Sequence, residues 1–201
     1  MNKFRIVLLL SIIVFLVSSI SVCWANNVDN GDTKKKILFM NLVRNKSTLT
    51  ILDESQSKKY GILVAPLKEK LQKENFIVID DLAYFERMKK AGMSDIQSIE
   101  KSDILDLFKD ANFDYIYMLE QEPWENRSGG KLGFQNEAHL KLLSINDGKY
   151  LYNGKLYSHT TWGSAFATHR KIAEQINAII DEKLLGKIPE VKPATDAKEK
   201  L

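Results

Sequence analysis

One cysteine, Cys23, stands in 201 residues, so no disulfide can close within the chain. The three histidines, His139, His159 and His169, form neither an H-x-H nor an H-E-x-x-H pattern, and there is no Cys/His array. A metal site therefore has little to build on, and no metal or cofactor is expected. Basic and acidic residues nearly balance, 29 against 26, and the runs Lys34-Lys35-Lys36 and Lys89-Lys90 are short. A nucleic-acid partner requires a clustered basic surface, and this composition argues against one. No internal repeat is visible, and beyond residue 25 no apolar run is long enough to cross a bilayer.

What is present starts at the N-terminus. Lys3 and Arg5 precede an apolar core, Ile6 to Val17, broken only by Ser11; Ser18, Ser19 and Ser21 then lower the hydrophobicity before Ala25. This is the three-part pattern of an export signal. Cys23 and Ala25 are small residues at −3 and −1, which predicts cleavage between Ala25 and Asn26. Lipidation of Cys23 would need a small residue before it, where Val22 stands. A retained anchor is the alternative, since Ile6 to Ala25 is long enough to cross a ~30 Å hydrocarbon core. Cleavage removes the only thiol and leaves 27 basic against 26 acidic residues. The expected organisation is a signal peptide at 1–25, a polar linker at 26–35, one globular domain at 36–186 and a disordered Pro- and charge-rich tail at 187–201. The product is expected to be periplasmic or secreted, with a membrane-anchored form as the alternative, and without a transmembrane segment after cleavage.

Within the domain, "ILFMNLV" at 37–43 has strand length. Tyr60, Leu63, Val64, Leu67 and Leu71 then give one helical face between about 57 and 74, with Pro66 predicting a kink. "FIVI" at 76–79 is the second strand, and Asp80-Asp81 is placed to cap a helix ending at Gly92. Ser102 is placed to cap the next helix, with Ile104, Leu107, Phe108 and Ala111 on its face. "DYIYMLE" at 114–120 is the third strand. A hairpin follows around Asn146-Asp147-Gly148, with Gly148 left-handed, Ile145 opposite Lys149, Leu142 opposite Tyr152 and Ala138 opposite Leu156. That register sets Glu137, His139 and Lys141 on one polar face with Asn153, Lys155 and His159. One apolar and one polar face predicts helices on one side only. The closing helix runs from Ser164 to Gly186 with Phe166, Ile172, Ile176, Ile179 and Leu184 buried. The expected fold is α/β (α+β): a two-layer mixed sheet of about five strands with helices on one face, in the order β-α-β-α-α-β-β-β-α.

The segments "KKILFMNLV", "LKEKLQKENFIVID", "ILDLFKDANFDYIYMLE" and "LLSINDGKYLYNG" follow one another in an order that resembles a family of envelope domains. It is the domain shared by the N-terminal part of TolB, the curli secretion protein CsgG and the penicillin-binding-protein activator LpoB. The likeness spans about Lys36 to Leu185 and is one of pattern, with Asn112-Phe113 where the family has a Gly-Ala-like pair. It implies an exported, non-enzymatic binding or assembly domain, and it transfers no functional residue. CsgG and LpoB are lipoproteins, and Val22 before Cys23 departs from that pattern.

The candidate chemistry is sparse. "EPWENRSGGKLGF", 122–134, reads as a loop in which Trp124 beside Arg127 and the Gly129-Gly130 pair could form a binding lip. Glu120, Glu122 and Glu125 resemble a glycosidase pair only in residue type. Asp80-Asp81 and Ser164 are accounted for by helix capping. His169 reads as a core-edge histidine. The open polar sheet face, with Tyr157 and the exposed hairpin edge, could take a partner strand, and the alternative is that the charges at Lys141 and Lys155 simply protect it from aggregation. The expected function is therefore an exported non-catalytic envelope domain that binds another envelope protein or a cell-wall component through Trp124, Arg127, Tyr157 and His159. The alternative is a small secreted enzyme or carbohydrate-binding protein using the 122–134 loop with Glu120 and Glu122.

Overall fold

The computed structural model describes residues 34–45, 48–51, 61–128, 131–161 and 164–188. The signal peptide, the Ala25–Asn26 cleavage site, nearly all of the linker and nearly all of the tail lie outside the described residues.

The strand β1 (Lys35–Asn45) is the axis of the sheet. Its run of apolar residues is buried on both faces, as the inner strands of parallel sheets are. On one side β1 pairs in parallel with β4 (Tyr115–Ser128), from Ile37↔Tyr115 to Val43↔Gln121. On the other side it is shared by two short strands. Its first half pairs in parallel with β3 (Phe76–Ile79), and its second half pairs antiparallel with β2 (Thr48–Ile51). Beyond β4, the strands β5 (Lys131–Ser144) and β6 (Lys149–Thr160) continue the sheet antiparallel, so β6 is a terminal strand. The sheet is mixed and six-stranded, and the element order is the expected one with β2 added.

Among the described residues four α-helices cover it. On one face α1 (Gly61–Lys73) and α4 (Ala165–Ile179) bring Val64, Leu67, Leu71, Ile172, Ala173 and Ile176 onto Ile37, Phe39, Tyr117, Leu119, Leu140 and Leu142. On the other face α2 (Leu82–Lys90) and α3 (Lys101–Phe108) bring Phe85, Met88, Ile104 and Phe108 onto Leu38, Met40, Leu42, Ile116, Met118 and Leu143. Each buried side chain of this size stabilises the fold by about 1.5–3 kcal/mol over its exposed state. The mixed α/β class stands, but the two-layer expectation with helices on one face is corrected to helices on both. The polar face of β5 and β6 does not extend across the sheet, because β1 from Ile37 to Met40 and β4 from Ile116 to Leu119 are apolar on both sides.

The local signals are mostly borne out. Asp81 is the N-cap of α2 and accepts from the Ala83 N–H at 2.9 Å, while Gly92 just past the helix has φ 75°. Asp80 instead pairs with Lys68. Ser102 does not cap α3: the N-cap is Glu100, without a side-chain bond, and Ser102 lies in the first turn. Helix α1 runs through Pro66, whose ring lies on the exposed side. The β5–β6 hairpin pairs Leu142 with Tyr152 and Ala138 with Leu156 as expected, and Gly148 is left-handed at φ 57°. Toward the turn the register slips by one, to Leu143↔Tyr150 and Ser144↔Lys149, leaving Leu151 as the extra residue of a bulge. In α4 Phe166 is exposed rather than buried, and Ile180 closes the stripe from a π-helical turn, Ile180–Leu184.

Candidate functional site

Segment 122–134 is not a loop. Its backbone forms the far ends of β4 and β5, paired continuously from Glu122↔Glu137 to Ser128↔Lys131, and β6 accompanies β5 only as far as Phe134↔Thr160. Strand character is obscured in the sequence by Pro123 and by the Gly129-Gly130 pair, which lies outside the described residues.

This register brings three of the four proposed binding residues together. Trp124, Gln135 and His159 occupy one cross-strand row, and Glu122, Glu137 and Tyr157 occupy the next. Arg127 stands opposite Leu132, beyond the end of β6, and is not brought to the others. The Trp124 and Arg127 side chains lie outside the described residues. Tyr157 is 53% exposed and His159 is exposed as well.

The next two rows inward carry charge under partial cover. Glu120, His139 and Lys155 form one, and Met118, Lys141 and Asn153 the other. Glu120 is 2% exposed, and its carboxylate accepts from Arg44 Nε and, at 2.9 Å, from the Ile96 N–H. Arg44 also donates to Ser94 O and to Asp95 Oδ1, each at 3.2 Å. The hydrogen bond to Glu120 raises the already high pKa of Arg44, and burial opposes it. Lys141, also buried, donates to Ile99 O and reaches Gln97 O at 3.4 Å. Burial lowers its pKa, and the negative charge of Asp95 opposes that shift. Three strands thus each send one charged side chain to the backbone or side chains of the segment 94–99, which joins α2 to α3 without being helix or strand. Glu120 is buried and held in that fastening by Arg44 and the Ile96 N–H, while Glu122 beside it is exposed.

Beyond the fastened segment Gln135, Glu137 and His139 are half-buried, while Lys155, Tyr157 and His159 are exposed among the described residues. His139 Nε2 lies 2.8 Å from Asn153 Oδ1, and Gln135 Nε2 donates to Glu137 Oε1 at 3.0 Å. The cavity between Gln97, Glu120, Glu122, Glu137, His139 and Lys155 is about 10 Å³, room for about one water and not for a substrate. The larger depression, about 610 Å³, lies between the end of α2 and α3, around Gly92, Met93, Asp103 and Asp106, away from every residue chosen from sequence. No cluster of three or more His, Cys, Asp or Glu suited to a metal occurs among the described residues. On the opposite face His169 is buried, with Nδ1 2.6 Å from Asn136 Nδ2. Sequence reasoning found the polar face of β5 and β6 by its alternation. It missed Arg44, Asp95 and the role of Glu120, because their contacts join segments dozens of residues apart and leave no local pattern.

No protein-family model matches the chain, and neither does any curated protein. Solved structures do show likeness to it. The lipoprotein GNA1162 from Neisseria meningitidis is 14% identical over 73% of this chain and 99% of its own, with a TM-score of 0.43. The LpoB C-terminal domain from Escherichia coli is 12% identical over 62% of this chain and 82% of its own, at 0.31. TolB from Acinetobacter baumannii is 16% identical over 77% of this chain but 29% of its own, at 0.42. Likenesses this distant assign the chain neither a family nor a function. No described helix is long and apolar enough to cross a membrane.

Proposed function

We propose that this chain is an exported, non-catalytic domain that binds another envelope component, a protein, through the less covered half of its sheet. The observation that carries the reading is the unequal cover of one face. Helices α2 and α3 and the segment 94–99 cover the rows that begin at Leu38, Met40 and Leu42, while Gln135, Glu137, Tyr157 and His159 stand in the rows beyond them on β5 and β6. A large aromatic half exposed among polar neighbours is a common interface anchor. The N-terminal pattern supports export, and the engagement of Glu120 weighs against the hydrolase alternative.

The test is a photo-crosslinking residue at position 157 in intact cells, with Glu86 on α2 as the control position. A discrete adduct from 157 and none from 86 is expected. Equal labelling from both, or none from either, overturns the reading.

A further inference from the structure

Among the described strands at the borders of the sheet, β2 and β3 have four residues each, whereas β6 has twelve and pairs with β5 alone among the described residues. A long free edge invites a further strand. The Tyr157 carbonyl accepts from Gln175 Nε2, on α4, at 3.0 Å, so it points away from β5. In an antiparallel ladder the N–H and C=O of one residue point the same way, and the pattern repeats at every second residue. Asn153, Lys155 and His159 therefore also turn their main-chain groups outward, beyond the bulge at Leu151. The Tyr157 N–H is outward too, and Gln175 covers only the carbonyl.

The edge strand itself carries no acidic side chain, although Glu137 on β5 stands opposite Tyr157. It contains Lys149, Lys155 and His159. Lys149 is 3.9 Å from Asp147 at the hairpin turn, while Lys155 and His159, both exposed, make no ion pair among the described residues. Pairing two copies of β6 would set basic residues against basic residues. We propose that β6 is a strand-addition site for an extended, acidic segment of another protein, with main-chain bonds at 153–159 giving affinity and Lys155 and His159 selecting carboxylates. The proposal rests on the reading that this half of the sheet binds a protein.

The probe is an eight-residue peptide of alternating glutamate and valine, with its lysine–valine counterpart as control, titrated into isotope-labelled protein. Binding of the acidic peptide alone is expected, with the largest amide shifts, and slowed hydrogen exchange at Lys155 and Tyr157, along 153–159. Lys155→Glu should weaken it about tenfold at low salt and by less at high salt. Tyr157→Pro should bind about fivefold more weakly than Tyr157→Ala, since it also removes an outward N–H without touching the β5 ladder. No binding at millimolar peptide, equal binding of both peptides, or shifts on β5 without slowed exchange on β6 overturns the proposal. If Tyr157→Pro does not fold, the exchange rates of the unaltered chain still decide it. A crosslink from position 157 together with failure of the peptide would sink strand addition and leave the protein-binding reading standing.

Discussion

Along the face beneath α2 and α3, the sheet changes character from one row to the next. Leu38, Ile116, Leu143 and Tyr150 make an apolar row, and Met40, Met118, Lys141 and Asn153 a mixed one. Leu42, Glu120, His139 and Lys155 come next, and then Glu122, Glu137 and Tyr157. The first rows lie under two helices, whereas in the last Glu137 is half-buried and Tyr157 is 53% exposed. The difference shows that burial here follows what crosses overhead, not strand identity, since β4 and β5 supply both the driest and the wettest rows. It also explains the charged belt between them. Where the apolar cover stops, Arg44, Glu120 and Lys141 satisfy the backbone of the segment 94–99, which has no helix or strand ladder to do so.

The comparison breaks most directly in the covered half. Ile116→Ala removes a fully buried side chain and should cost about 2–5 kcal/mol in urea unfolding, against no more than about 0.5 for Glu137→Ala. Equal costs would mean that the outer rows are covered as fully as the inner ones. At the belt, Glu120→Gln leaves Arg44 facing a neutral amide and should cost about 3 kcal/mol, with faster hydrogen exchange at Ile96. Unchanged exchange there would show that Glu120 does not hold the segment.

A smaller effect comes from Tyr117, whose buried hydroxyl has no hydrogen-bond partner among the described residues. Tyr117→Phe should stabilise by about 1 kcal/mol. Burial raises the Tyr117 pKa well above its ordinary 10.0, so above pH 10 the folded chain holds a proton that the unfolded chain loses. That contribution is complete below pH 10 and is lost as the pH rises toward the folded-state value. The variant should therefore show a shallower alkaline decline than the parent; identical slopes would disprove this source. Smallest of all, Tyr157→Ala should move stability by less than about 0.5 kcal/mol while lowering partner capture. A large loss of stability would make Tyr157 part of the core instead of the interface.

Much of this fold was legible locally. "FIVI" matched β3, Asp81 capped α2, and the period of two placed Glu137, His139, Lys141, Asn153, Lys155 and His159 on one face. The 122–134 segment was misread because proline and glycine weaken a strand signal that cross-strand pairing supplies instead. The bulge at Leu151 was likewise hidden, since the predicted and observed registers agree at Leu142↔Tyr152 and separate only near the turn. Of the candidate site, alternation gave the polar face and Tyr157; the convergence of Trp124 with His159 came only from register.

By itself the sequence determined most of the elements, β2 and the far ends of β4 and β5 apart, their order, and the two faces of the closing hairpin. Each of these is set by neighbours a few residues apart, through propensity, capping and periodicity. Only the tertiary structure decided that helices cover both faces, that cover stops at the row of Glu120, and that Arg44 meets Asp95, 51 residues further along the chain. Those outcomes depend on which apolar surfaces meet after long loops close, and such contacts leave no period in the chain.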